Sequence, residues 1–293
     1  MKPSSIEIRE SVPLAPLTSF RVGGPARYFC QADTLTQLRA ALDFIAERDL
    51  PFFVLGKGSN VLVADDGYPG MVLALGRDFM KAHFDGVLVV CGGAYRLPVL
   101  AREAARRSCS GLEWAVGIPG TVGGAVAVNA GAHGSDMANA VTRVTLLRPN
   151  GQLEMITREE AGFVYRGSNI KGQGIVLEAE LRLLPGARDD IEAKMAEYFE
   201  IRKRTQPVGQ RTAGSVFKNP PGEYAARLIQ RCGLKGARVG GAMVSHKHAN
   251  FIVNTGYATA RDIVMLIRKI QEEVKEKTGV ELETEIDLVG DFS

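Results

Sequence analysis

Gly117–Gly134 reads GIPGTVGGAVAVNAGAHG, with six glycines among residues that are mostly small or apolar. Glycine lets backbone N–H groups come close to a ligand, and successive N–H groups in a turn form a nest for an anion. Two further stretches share the character: LGKGSN, Leu55–Asn60, and RVGGPA, Arg21–Ala26. Any one of them could be only a tight turn. Together, two of them directly after strand-like segments, they point to a ligand that carries a pyrophosphate. The usual nucleotide fingerprints do not fit. A P-loop needs glycine five residues before Gly56, where Pro51 stands, and a Rossmann fingerprint starting at Gly56 needs glycine at Val61.

Around these loops the chain alternates. ARYFCQA (Ala26–Ala32) reads as a strand, and the helical period of Leu35, Leu38, Ala41, Leu42 and Ile45 follows, with Asp33 or Thr34 able to cap it. PFFVLG and MVLAL are further strands, so the order strand–helix–strand implies a small α/β unit. From about Phe79 to Pro185, strands dominate: GVLVVCGG, VTRVTLL and QLEMI joined through Pro149-Asn150-Gly151 as a hairpin turn, and IVLEAELRLL, with a helix near Leu97–Arg107. Helices are then expected near Asp189–Arg204, Glu223–Cys232 and Thr259–Lys277, the last with Thr259 as N-cap and Asp262 three residues on. The tail VELETEIDLV alternates strictly and reads as one strand with Glu281, Glu283, Glu285 and Asp287 on one face. These patterns predict an α+β protein in three parts, residues 1–76, 77–188 and 189–293.

Composition narrows the function. The 293 residues are 45% hydrophobic and 24% charged, which suits globular domains and not a disordered or fibrous chain. A net charge of +3, with no interleaved basic and aromatic run, fits an anionic small molecule better than nucleic acid. No apolar stretch approaches the ~20 residues of a membrane span. MKPSSIEIRE, Met1–Glu10, has no apolar core of a secretion leader. Four scattered cysteines, Cys30, Cys91, Cys109 and Cys232, fit reduced thiols in the cytoplasm. His246 and His248 stand at i, i+2, but two histidines make no metal site, and none is expected.

TSFRVGGPA, LGKGSNVLVADDG, the Gly117–Gly134 stretch, YRGSNIK, GSVFKNP and GLKGARVGGAMVSHKHANFIVN follow one another along the chain. In this order they resemble the UDP-N-acetylenolpyruvoylglucosamine reductases, flavoenzymes of bacterial peptidoglycan synthesis, over about Thr18 to Gly290. The resemblance implies a two-part FAD-binding region of the vanillyl-alcohol-oxidase-like (PCMH-type) fold and a C-terminal α+β domain for the UDP-sugar. Arg166 and Ser215 are only 49 positions apart (215 − 166), which resembles the shorter form lacking an extra substrate loop. It implies non-covalent FAD lined by Gly56, Lys57, Gly58, Ser59 and Asn60, by Ile118, Pro119, Gly120, Thr121, Gly123 and Gly124, and by Asn129 and Gly131. NADPH would be the hydride donor, the chain a monomer or weak oligomer, and the cytoplasm its compartment.

The reaction implied by the resemblance passes hydride from NADPH to FAD, and from flavin N5 to C3 of the enolpyruvyl ether. Negative charge then builds on the C2–carboxylate system, and C2 must gain a proton. Arg166 suits the carboxylate, because its fork binds bidentately and stays charged. By the resemblance Glu285 polarises the substrate near the enolate; as a hydrogen-bond donor it would need a raised pKa. Ser215 would protonate C2. A serine hydroxyl is a very weak acid, but the enolate is a strong base, and a positioned hydroxyl loses little to reorganisation. Tyr165, Lys218, Asn219 and His248 are expected at the substrate. Without the resemblance, Arg166 and Glu285 would read as surface residues and Ser215 as a turn residue. Two other functions stay open on the residues: an oxidase of the same flavin fold, which would make peroxide, and a non-catalytic nucleotide-binding module.

Overall fold

The computed structural model describes residues 6–293, so the first half of the stretch read for a leader lies outside the described residues. The chain forms two compact units, each built from several segments. Among the described residues, the first comprises 6–8, 29–56 and 71–201, and the second 9–28, 57–70 and 202–293.

In the first unit, helix α1 (Leu35–Glu47) begins where Thr34 Oγ1 accepts from Gln37 N, and Gln37 Oε1 accepts from Asp33 N. This reciprocal pair satisfies two N–H groups at the helix start. Leu38, Ala41, Leu42 and Ile45 are buried, four of the five residues expected on that face. Phe52–Val54 then pairs in parallel with Met71–Leu73. The larger sheet is antiparallel throughout, with strands in the order 153–157, 141–147, 175–182, 88–92, 82–85. Its hairpin turns at Pro149-Asn150-Gly151, as expected, with Arg148 N donating to Gln152 O and Asn150 Oδ1 accepting from Gln152 N. Helix α2 (Leu97–Arg106) buries Leu97, Leu100, Ala101, Ala104 and Ala105 in the core around this sheet.

The Gly117–Gly134 stretch is not loop throughout. Val122–Ala127 forms a short helix, α3, with Thr121 as N-cap accepting from Gly124 N at 3.3 Å. A Cβ at Gly123 would lie 2.9 Å from Gly93 O. This glycine therefore lets helix and strand approach, a packing role that composition alone does not separate from ligand binding. Helix α4 (Arg188–Thr205) buries Ile191 and Met195.

In the second unit, a three-stranded antiparallel sheet (238–239, 242–244, 252–254) carries helices α5 (Ala225–Arg231) and α6 (Ala260–Thr278). Helix α6 starts with the expected capping box of Thr259 and Asp262, and Asp65 adds a second cap, its carboxylate accepting from Ala260 N (2.8 Å) and Arg261 N (2.9 Å). Gly279, at φ +73°, ends it. Burying Ile263, Leu266, Ile267, Ile270 and Val274 along one stripe contributes roughly 1.5–3 kcal/mol for each large side chain.

The tail departs from the expected single strand. Thr284 bridges antiparallel to Phe217, the chain bends at Glu285-Ile286, and only Asp287–Val289 forms a strand, parallel to Val61–Val63. The four acids differ in exposure: Glu281 and Glu283 are exposed, while Glu285 and Asp287 are half-buried. The bend follows from a change of partner, since one straight strand cannot pair first with Phe217 and then with Val61.

Candidate active site

Ser215 follows Gly214, which is at φ +84°, a left-handed conformation that glycine adopts without strain. The hydroxyl is half-buried and makes no hydrogen bond to protein among the described residues. The next three residues are held from two sides. On one side Glu285 N donates to Val216 O at 2.7 Å, and Lys218 N donates to Glu283 O at 2.9 Å. The groups of Phe217 face the other way. There Asn250 Oδ1 accepts from Phe217 N at 2.9 Å, Asn250 Nδ2 donates to Phe217 O at 2.8 Å, and Asn250 O accepts from Val216 N at 2.9 Å. Asn250, only 4% exposed, thus stands in for a neighbouring strand. Ser215 sits at the end of a rigid segment with its own oxygen uncommitted, the arrangement a positioned proton donor needs.

The same network fixes Glu285. Its N–H is held by Val216, and its carbonyl accepts from Asn60 Nδ2 at 3.1 Å. Asn60 O in turn accepts from Asp287 N at 2.9 Å. The Leu55–Asn60 loop is therefore tied at its end to the segment bearing Glu285. Gly58, at φ +59°, presses against the backbone of Leu17, where a Cβ would come within 2.2 Å of the Leu17 carbonyl oxygen. Lys218 pairs with Glu283 at 2.5 Å. Asn219 Oδ1 accepts from Ala225 N and so caps α5.

His248 stands in a different cluster of this unit. Its Nδ1 is buried without a hydrogen-bond partner among the described residues, and its ring meets Phe251 edge-on at 4.7 Å. Burial first, then the nearby Lys235 and Arg202 charges, lower its pKa and favour the neutral imidazole. Burial also lowers the pKa of Arg202. Three nitrogenous side chains grouped in this way suit an anion. Arg202 and Lys235 were not singled out in the sequence, where no local spacing links them to His248. Among the described residues, no three His, Cys, Asp or Glu side chains are grouped to hold a metal.

In the first unit, Gly56 lies against Thr121, so that a Cβ on Gly56 would be 2.8 Å from Thr121 Oγ1. Two glycine loops distant in sequence therefore meet where any side chain on Gly56 would intrude. Gly120 O accepts from Leu97 N and Val122 N donates to Tyr95 O, pinning the second loop to α2. Such a pair of pinned, small-sided loops fits the diphosphate of FAD. Ile118 packs half-buried against the core, and Pro119 is exposed.

Asn129 and Arg166 both occupy positive φ, 45° and 54°. Asn129 is 3% exposed, and its amide donates to Val164 O (2.9 Å) and Asp136 Oδ2 (3.1 Å) while accepting from Ala138 N (3.0 Å). Those bonds tie the Gly131 turn to the Val164–Gly167 turn. Across them Arg166 Nη2 donates to Gly131 O at 2.8 Å. Ser168, one residue past Gly167, adds a bond to Ala127 O at 2.7 Å. Tyr165 is 55% exposed, with Arg166 packed over its ring face at 5.4 Å. The loops that the sequence singled out separately thus converge on one guanidinium side chain, Arg166, held by backbone and an asparagine.

Residues 26–157 match a family model described as an FAD binding domain, and residues 206–289 match one described as the C-terminal domain of UDP-N-acetylenolpyruvoylglucosamine reductase. UDP-N-acetylenolpyruvoylglucosamine reductase 2 of Symbiobacterium thermophilum is 46% identical over 97% of this chain and 92% of its own length. The reductase of Synechocystis is 44% identical over 98% of this chain and 92% of its own. The crystal structure of the reductase from Thermus caldophilus superposes with a TM-score of 0.84 at 40% identity, covering 98% of this chain and 99% of that one. With the two glycine loops fitted to FAD and the match running nearly end to end, the chain belongs to the UDP-N-acetylenolpyruvoylglucosamine reductase family, FAD-dependent oxidoreductases of peptidoglycan precursor synthesis.

Proposed function

We propose that this chain uses NADPH to reduce UDP-N-acetylglucosamine enolpyruvate to UDP-N-acetylmuramate, with Ser215 as the proton donor to C2. Non-covalent FAD, when bound, would supply the hydride chemistry between NADPH and C3 of the enolpyruvyl ether. The chain's own residues do the remaining work. Arg166 binds the substrate carboxylate through its guanidinium fork, where charge grows as the enolate forms. Glu285 stabilises that charge from its fixed bend. Lys218, Tyr165 and the cationic neighbourhood of His248 seat the sugar nucleotide. The cytoplasm is the proposed compartment, with a monomer or weak oligomer as working form and parts at 1–76, 77–188 and 189–293.

The observation that carries this reading is the Ser215 hydroxyl, half-buried and uncommitted at the end of a segment clamped on both sides. A turn serine ordinarily bonds its own backbone. The test follows flavin absorbance in each half-reaction separately. Ser215→Ala should leave reduction by NADPH unchanged and slow reoxidation by the enolpyruvyl sugar nucleotide by about 10²–10⁴-fold, the scale of a positioned acid. An equal loss in both half-reactions makes Ser215 a structural residue and removes it from the chemistry.

A further inference from the structure

Helices α2 and α4 of the first unit frame a groove that none of the residues above uses. Its cavity of about 360 Å³ is lined by Ala105, Val116, Met195, Ala196 and Phe199, with Arg102, Arg106, Arg188 and Glu192. The base is apolar and buried: Ala105 is 2% exposed and Met195 6%. The charges are lopsided. Glu192, the lining acid, is already paired with Arg188 at 2.8 Å. Arg106 reaches Glu103 only at 3.9 Å, and Arg102 has no acidic partner within 4.0 Å among the described residues. Two guanidinium groups four residues apart on one helix therefore stand one turn from each other beside an apolar trough.

An occupant that leaves neither the trough wet nor the arginines unneutralised has one anionic head and one apolar body. The guanidinium fork matches a carboxylate in both shape and charge. The volume lies at the small end for ligand sites and, packed at interior density, holds about a dozen non-hydrogen atoms. We propose that this groove binds a medium-chain carboxylate, and that its occupancy is transmitted to the Gly117–Gly120 loop.

Two routes carry the signal, one along the chain and one through a hydrogen bond. Val116 forms part of the wall and directly precedes the loop, where Ile118 N donates to Ala115 O and Val116 N to Glu113 O. Helix α2 supplies Arg102, Ala105 and Arg106, and its first residue donates from Leu97 N to Gly120 O at 3.1 Å. A reporter is built in. Trp114, the chain's single tryptophan, is 3% exposed, two residues from Val116, and its indole N–H donates to Gly111 O at 3.1 Å. Binding in the groove does not depend on the reductase reading; transmission to bound flavin rests on the FAD role of the loop.

The test titrates octanoate into the FAD-loaded protein by calorimetry, with Trp114 emission and the flavin absorbance band read in parallel. Saturable binding with Kd below about 1 mM is expected, with both optical signals following the same curve. Arg102→Ala/Arg106→Ala should weaken octanoate tenfold or more, since charged hydrogen bonds are lost. Ala196→Phe, at an exposed position where folding is tolerant, should fill the groove and abolish binding. 1-Octanol, of the same length without charge, should bind at least tenfold more weakly. Equal affinity for octanol overturns the anion site, and an unchanged Kd in both variants places binding elsewhere. Saturating heat with Trp114 and the flavin band both unmoved overturns the transmission.

Discussion

Replacing Asn250 by alanine tests how Ser215 is held. Phe217 is 1% exposed, and its N–H and C=O point away from the 283–285 segment that pairs with its neighbours. Both groups find their partner in the Asn250 side chain, at 2.9 and 2.8 Å. Asn250→Ala leaves two buried backbone groups unsatisfied, at about 1–3 kcal/mol each, hence a loss of roughly 2–6 kcal/mol. For a chain of this size that lowers Tm by roughly 4–24 °C, on a scale of about 2–4 °C per kcal/mol. Ser215→Ala breaks no protein hydrogen bond and should stay within about 0.5 kcal/mol of the parent. Scanning calorimetry at saturating FAD measures both. At 20 °C, where both variants remain folded, stopped-flow traces should show Asn250→Ala slowing reoxidation by substrate more than tenfold, because a displacement near 1 Å can cost about 10² in rate. Flavin reduction by NADPH should be spared. If Asn250→Ala costs under 1 kcal/mol, or Ser215→Ala is destabilised as much, the clamp does not exist as described.

Three further perturbations read other parts of the framework. Asp65→Ala removes a carboxylate from two N–H groups at the start of α6 and should cost about 1–2 kcal/mol in urea unfolding; a change under about 0.3 kcal/mol leaves Thr259 and Asp262 as sufficient caps. Asn129→Asp keeps the acceptor for Ala138 N but loses the donor to Val164 O and faces the Asp136 carboxylate, so a loss of roughly 2–4 kcal/mol is expected, together with a raised KM from a loosened Arg166 turn; an unchanged KM separates Asn129 from Arg166. His248 has its pKa lowered by burial and by Lys235 and Arg202, so the unfolded chain binds the proton more tightly. Its contribution is present above the unfolded value near 6.5 and is lost as pH falls through the lower folded pKa. The parent should lose more stability than His248→Gln between pH 7.5 and pH 5, and parallel pH profiles of the two proteins contradict this.

The helices were legible because they depend on residues a few positions apart. The period of Leu38, Ala41, Leu42 and Ile45 and the Thr259–Asp262 capping box lie within single turns, and the hairpin at Pro149-Asn150-Gly151 is equally local. The glycine loops were legible as a class but not in role. In RVGGPA, a Cβ on Gly24 would come within 2.1 Å of Asp65 O, so this glycine serves close backbone packing, a fact set by a residue 41 positions away (65 − 24). The same distance hides Asn250: nothing in SHKHANF announces that its asparagine closes on Phe217, 33 residues earlier. Arg202, Lys235 and His248 also come together only through the fold.

The tail shows why alternation misleads when a segment changes partners. Period-two patterning predicts one continuous strand only if a single neighbour runs alongside it. From Glu283 to Glu285 the neighbour is 216–218, antiparallel; from Asp287 to Val289 it is 61–63, parallel. The reversal falls on Glu285-Ile286, where Ile286 turns inward at 3% exposed and Glu285 is fixed through its backbone, to Val216 on one side and Asn60 on the other. A carboxylate on a plain strand face would move with that strand and meet water. Placed at the junction, its backbone answers to the Ser215 segment and to the Leu55–Asn60 loop at once, so any substitution that slips either pairing, such as Asn60→Ala, displaces the acid without touching its side chain.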